Sequence, residues 1–297
     1  MTFDPVAFAA AHVGPPGPPQ PFSLNPPPDG AAIIAVDAGS LTVTVPLVAA
    51  AAPLEAGLRE HGLTLGLFPE TFERATVGEL LEDDAPGAGA SGPGFASRLV
   101  RRPESGVVAL GVRRRPAAQA GRALAVGAFE DAVHAVRRLA QDGDLPEIAL
   151  VLDAAAADLW LSAADDPDGA RARIRPGGAL LLLIASGAEG VAARRVATAV
   201  RDAALADAVD LGQNPARGWA AVRYDGPGHA ATLARAGYVL EVERQRLPWS
   251  DIVGAAIDAR THPGYTTCEV AGAAMHDALL TVRRITAAPA AAANTPV

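Results

Sequence analysis

The sequence contains no lysine. All 25 of its basic residues are arginine, set against 33 aspartates and glutamates for a formal net charge of −8 at pH 7. An acidic chain without a basic stripe lacks the electrostatic footprint that nucleic-acid binding needs. Cysteine occurs once, at Cys268, which excludes an intrachain disulfide and a thiolate metal cluster. Aromatic residues make up 4%, so stacking platforms are scarce and the core has to be built from Ala, Val and Leu. The longest uninterrupted apolar run, Ala179 to Ala185, is far too short for a membrane span. The opening residues carry no basic segment followed by an apolar one, and a cytoplasmic protein is expected. His12, His61, His134, His229, His262 and His276 stand apart, with no HxH or HExxH spacing for a metal. No G-x-S-x-G elbow offers a nucleophile either; Ser186-Gly187 lacks the flanking pattern.

Alanine, glycine and proline are plentiful instead. Proline crowds residues 1–30 (GPPGPPQPF, then NPPPDG), where missing donors and fixed φ predict an extended tail with no helix. Ile33 to Asp37 and Leu41 to Val45 read as strands joined at Ala38-Gly39-Ser40. Ala50 to His61 reads as a helix with Leu54 and Leu58 on one face and Gly62 as its stop. Ser105 to Arg115 reads as a short strand pair.

From Arg122 onward strand and helix signals alternate. Strands are expected at Ala123 to Ala128, Glu147 to Asp153, Ala179 to Ala185, Tyr238 to Arg244, Thr266 to Val270 and Ala278 to Ile285. Helices are expected at Phe129 to Asp142, with Phe129, Ala132, Val133, Val136, Leu139 and Ala140 on one face, and at Val191 to Ala206, Pro227 to Ala236 and Pro248 to Arg260. This is an α+β pattern, with an antiparallel, ferredoxin-like sheet covered by helices. Asp165 to Gly169 reads as a solvated turn, too short for a calcium loop, and Ala287 onward as a disordered Ala/Pro tail.

The stretch most suggestive of function is Gly62 to Arg101, GLTLGLFPETFERATVGELLEDDAPGAGASGPGFASRLVR. Glycines and short hydroxyl side chains here let a backbone approach a flat, phosphate-bearing ligand closely. Gly87 to Gly92 satisfies G-x-G-x-x-G but follows an acidic run and enters Pro93, so it reads as a loop rather than a dinucleotide fingerprint.

The frame of this stretch, with VDAGSLTVTV and EAGLREHGLTLG before it and SGVVALGVRRR after it, resembles the FAD-linked oxidases of the vanillyl-alcohol-oxidase superfamily. The similarity is greatest to the alkyl-dihydroxyacetonephosphate synthase and D-lactate or glycolate oxidase branch. It continues through GALLLLIASGAEG, PARGWAAVRYDGP and LARAGYVLEVERQRLPWSDI, with Trp219, Arg223, Trp249 and Ser250 at family spacing. The resemblance implies a partial FAD-binding domain of PCMH type over 31–117 and a cap domain over 118–286. It implies FAD as cofactor, cradled by Pro69, Thr71, Thr76, Val77, Gly78, Gly106, Val107 and Val108.

The chain also departs from the family pattern. No diphosphate-cradling glycine loop precedes Ala31, and Glu79 replaces the second glycine of Thr-Val-Gly-Gly. A small Ala-Thr-Arg triplet becomes Glu82-Asp83-Asp84. At about 5 Å and an effective dielectric of about 20, a carboxylate repels one phosphate charge by about 3 kcal/mol, so this run is expected to oppose FAD unless Arg98, Arg101 or Arg102 offsets it. An anion-holding arginine of the family falls on Ala230, next to His229, and a late Cys-His/Arg-Val strand falls on Cys268-Glu269-Val270, with Thr281 or Arg283 at tyrosine positions.

The resemblance therefore implies a catalytically degenerate homologue that acts as a binding or assembly partner, of a full-length flavin oxidase or in a homodimer. The alternative is a working FAD-dependent oxidoreductase acting on a hydroxy acid or an alkyl-glycerone-phosphate-like substrate.

Overall fold

The computed structural model describes residues 3–12, 33, 35–84, 86–89, 94–104, 106–162, 169–205, 207–224, 230–272 and 274–288. The first element corrects an expectation. Within the stretch expected to be extended, α1 (Pro5–His12) forms a helix. Pro5 occupies its first position, where a missing N–H costs nothing, and the Asp4 carboxylate accepts from the amides of Val6 (2.9 Å) and Ala7 (3.2 Å). Phe3 and Phe8 are buried against Tyr238, Tyr265, Leu159 and Leu233. The proline clusters of the expected tail lie outside the described residues.

Among the described residues three antiparallel sheets follow, one of them a single pair of strands. In the first half, β1 (Ala35–Asp37) and β2 (Thr42–Pro46) form a hairpin whose turn is set by Asp37, which accepts from the amides of Gly39 (2.9 Å) and Ser40 (3.0 Å). Helix α2 (Ala51–Glu60) buries Leu54 and Leu58 and stops at Gly62, whose φ is +68°. The buried Glu55 carboxylate then accepts from Thr64 Oγ1 (2.7 Å) and the Leu65 amide (2.9 Å), pinning the helix to β3 (Leu63–Thr64). Burial raises the Glu55 pKa. After α3 (Val77–Asp83) come β4 (Leu99–Glu104), β5 (Val107–Gly111) and β6 (Arg113–Arg114). The sheet order is β1-β2-β5-β4, with β3 and β6 paired separately. Val43, Val45, Leu58, Phe72, Phe95 and Leu110 fill its core.

The second half comprises β7 (Ala118–Val126), α4 (Phe129–Asp142), β8 (Ile148–Asp153), α5 (Ala154–Leu161), β9 (Ala179–Gly187), α6 (Val191–Asp202), β10 (Val209–Asp210), α7 (Asn214–Val222), α8 (Ala230–Arg235), β11 (Tyr238–Pro248), α9 (Ile252–Arg260), β12 (Tyr265–Gly272) and β13 (Asp277–Ala287). Among the described residues the strands run in the order β10-β7-β9-β8-β12-β13-β11, all antiparallel. Helices cover both faces: α4, α6 and α9 on one, α5 and α7 on the other. That explains the unbroken apolar run of β9. Leu181 and Leu183 face the first layer, Leu180, Leu182 and Ile184 the second, so no polar alternation survives.

The six residues expected on the inner face of α4 are all buried. Helices α5 and α7 were not expected. The first starts directly from β8, with Asp153 as N-cap accepting from the Ala156 amide at 2.7 Å, so no loop announces it. Of the expected turn Asp165 to Gly169, residues 165–168 lie outside the described residues, as do 289–297 of the expected tail.

Candidate functional site

The Gly62 to Arg101 stretch is where the two halves meet. Thr76, one of the expected cradle residues, is the N-cap of α3. Its hydroxyl accepts from the Glu79 amide (3.3 Å), and the Glu79 carboxylate accepts from the Thr76 amide (2.8 Å). Glu79, at the position of a family glycine, thus completes a capping box. The Val77 and Gly78 amides are spent on the carbonyls of Ala49 (2.9 Å) and Leu47 (2.8 Å). A Cβ on Gly78 would stand 3.2 Å from the Leu47 carbonyl, so this glycine serves packing.

The remaining candidate cradle residues fall into two groups. Gly106 turns the chain at φ +77° and its carbonyl accepts from the Leu47 amide (2.8 Å), while Val107 and Val108 pair with Pro46 and Val45. Thr76, Val77, Gly78, Gly106, Val107 and Val108 therefore gather around the 46–49 connection. Pro69 and Thr71 lie elsewhere, in the turn before α3: the Pro69 carbonyl accepts from the Phe72 amide (3.0 Å), and Thr71 borders a crevice between the halves. Glu82, Asp83 and Asp84 are exposed at the end of α3, and the Asp84 carboxylate accepts from the Ala96 amide (2.8 Å). Gly228 and His229 lie outside the described residues.

The crevice has a volume of about 40 Å³, room for a few waters. One wall is Glu70, Thr71, Asp83 and the loop Pro86 to Gly89; the other is the large sheet, through Leu150, Arg244, Glu269, Ala271, Leu279 and Thr281. Strand register puts Thr281 opposite Arg244 on one side and Glu269 on the other, so these three side chains share one face. Gly89, at φ +65°, lies so close to this layer that a Cβ would stand 2.6 Å from the Trp219 ring. The small residues of the loop let it sink onto the sheet.

A charge network closes the floor. Arg283, 2% exposed, donates from Nε to Glu269 Oε1 (2.8 Å) and from its terminal nitrogens to Glu70. Arg244 donates to Glu70 at 2.8 Å, and Trp160 Nε1 to Glu269 at 2.9 Å. The Arg283 guanidinium also stands 5.5 Å from the centre of the Trp160 ring. Burial alone would lower the Arg283 pKa, but the Glu269 and Glu70 carboxylates more than offset it and hold the group charged. Beside the network, the Tyr224 hydroxyl donates to the Phe68 carbonyl (3.3 Å), and burial pushes its pKa up to about 12. Sequence reading missed Glu70, Arg244 and Trp160. A legible signal did exist: Glu269 and Arg283 are charges inside strands otherwise built for burial, and such charges need partners.

By sequence, no protein-family model and no curated protein matches this chain. By structure, two crystal forms of alkyldihydroxyacetonephosphate synthase superpose with TM-scores of 0.74 and 0.72, each at 17% identity, over 88% and 86% of this chain. A 4-ethylphenol oxidase from Gulosibacter chungangensis, in complex with isoeugenol, superposes at 0.60 with 10% identity over 86%. The fold is that of the PCMH-type FAD-linked oxidases. A p-cresol methylhydroxylase with substrate bound extends the same likeness at TM-score 0.52 and 11% identity. The chain spans 58% to 64% of the length of these structures. The oxidase fold agrees with the sequence resemblance. Among the described residues no helix is long and apolar enough to cross a membrane, and no cluster of His, Cys, Asp and Glu is arranged for a metal.

The seam residues do not fit FAD. Among the described residues that border the crevice are the carboxylates Glu70, Asp83 and Glu269 and the cation Arg244, which is already bound to Glu70. Away from the seam, the amides of Val77 and Gly78 in the expected cradle are occupied by backbone carbonyls.

Proposed function

We propose that this chain is a catalytically silent relative of the FAD-linked oxidases, working in the cytoplasm as a binding or assembly partner of a full-length flavin oxidase or of a second copy of itself. The observation that carries this reading is Arg283. A fully buried guanidinium held between Glu269 and Glu70 fills, with the chain's own side chains, the junction where the two halves meet. Opening that junction for a ring system would strand at least one carboxylate away from water, at a cost of several kcal/mol per ion.

The test is an absorption spectrum of the purified protein, before and after incubation with excess FAD and desalting. No flavin bands are expected in either sample. A yellow protein, or one that turns yellow and reduces its flavin on addition of a hydroxy acid, would favour a working oxidoreductase instead. Flavin appearing only on co-expression with a full-length oxidase would place the cofactor in the partner and support the assembly role.

A further inference from the structure

The large sheet ends in two unequal edges. At one edge β10 is two residues long. At the other, β11 pairs with β13 over all eleven of its residues, from Tyr238 opposite Ala287 to Pro248 opposite Asp277, without a register shift. Seven of the eleven are exposed, Val239 and Val242 among them. Among the described residues no strand pairs with the outer side of β11, and of its backbone groups the Pro248 carbonyl alone accepts from a backbone amide outside the sheet. Exposed edges are ordinarily blunted by shortness, a bulge or an internal proline. β11 has none of these, its one proline standing at its last position.

The charges of β11 sort by face. Side chains alternate along an unbroken strand, so Glu241 and Glu243 stand on one face and Arg244 and Arg246 on the other. Glu243, Arg244 and Arg246 have partners within the chain, Arg284 at 3.3 Å, Glu70 at 2.8 Å and Asp277 at 3.5 Å, yet these three side chains stay 39% to 48% exposed. Two folded copies meeting antiparallel at this edge have to keep like face against like face, because turning one copy over presents its inner edge, which β13 fills. Glutamate then never stands opposite arginine, and every register that pairs most of the strand sets Glu against Glu or Arg against Arg, which is destabilising. A second copy is a poor fit here. A different strand, with acids opposite Arg244 and Arg246 and bases opposite Glu241 and Glu243, is a good one.

We propose that the outer edge of β11 adds an extended strand of a different protein, antiparallel like the rest of the sheet and reading acidic-x-acidic-basic-x-basic. The proposal rests on the partner reading above and narrows it, since it excludes a second copy at this edge. A free peptide, unlike a folded copy, has two usable edges and can present either face. The sequence of residues 241–246, Glu-Val-Glu-Arg-Gln-Arg, has the required order when it is carried by a free peptide. The experiment titrates a labelled synthetic peptide of residues 238–248 with the full chain, following fluorescence anisotropy and amide hydrogen exchange. Saturable binding is expected, with slowed exchange on β11, while exchange on β11 of the chain alone does not change as its concentration is raised. A peptide with Gln at all four charged positions should bind about tenfold more weakly, and so should the original peptide to a Glu241→Arg/Glu243→Arg chain. The proposal is overturned by no binding, by equal binding of the Gln peptide, by protection elsewhere than β11, or by concentration-dependent protection of β11 in the chain alone. If the doubly substituted chain misfolds, the Gln peptide against the parent still decides. No flavin enters this readout: a failed titration leaves the absorption test standing, and a yellow protein would sink the partner reading without altering the peptide result.

Discussion

Arg283 donates to the carboxylate of Glu70 across a separation of 213 residues, tying the last strand of the large sheet to the loop ahead of α3. Glu269 shares the same guanidinium from the neighbouring strand. The halves are thus joined by buried charge as well as by apolar packing, and a buried charge resists removal of one partner more than replacement of all.

Arg283→Met is therefore expected to cost about 3–5 kcal/mol in urea unfolding, since it leaves Glu269 and Glu70 without their shared cation. Adding Glu269→Gln should recover part of that loss. A cost below about 1 kcal/mol, the range of exposed pairs, would mean that the network does not close the seam.

Gly62 and Gly94 are expected to differ in sensitivity by cause. Gly62 has open space around it but φ +68°, so Gly62→Ala should cost about 1–2 kcal/mol from backbone conformation alone. Gly94 has ordinary φ, yet a Cβ would stand 1.9 Å from the Asp84 carbonyl oxygen. Backbone cannot rotate aside as a side chain can, so Gly94→Ala should cost at least about 1–3 kcal/mol and release the Asp84 to Ala96 bond. Denaturation midpoints rank the two; Gly62→Ala proving the worse would refute this packing account.

The pH dependence of stability should carry the mark of Glu55. Its pKa in the folded protein is raised by burial, so between the unfolded value near 4.5 and the folded value the native state binds more protons than the unfolded one. Its contribution is greatest at low pH and declines as pH rises through the folded pKa. The stability of the parent relative to Glu55→Gln should then shrink as the pH of the unfolding series is raised from about 4.5 toward 7. A difference that is flat or grows with pH contradicts the buried carboxylate.

Cys268 is fully buried on β12 with its Sγ near the Ala256 carbonyl (3.6 Å), and burial pushes its thiol up to about 12. Native protein should resist thiol reagents at pH 8, and one equivalent should appear on unfolding. Rapid labelling of the folded chain would show that β12 opens locally.

The α+β class, the antiparallel cap strands and the buried face of α4 were legible because hydrophobic periodicity is carried by close neighbours in sequence. The capping box was legible in principle, since Thr76-Val77-Gly78-Glu79 has the T-x-x-E spacing; alignment of Glu79 with a family glycine hid it. Helix α1 was hidden by composition: prolines crowd the residues after it, and the contacts of Phe3 and Phe8 with Tyr238 and Tyr265 that hold it lie far away in sequence.

What the sequence by itself determined is local: where a helix stops at Gly62, where Asp37 turns a hairpin, and which faces are apolar. Which charges meet was decided only by tertiary structure. Glu70, Glu269 and Arg283 become partners through the register of β12 on β13 and the docking of a loop from one half onto a strand of the other. Pairings of that range depend on the sum of many packing contacts, and no residue's immediate neighbours encode them.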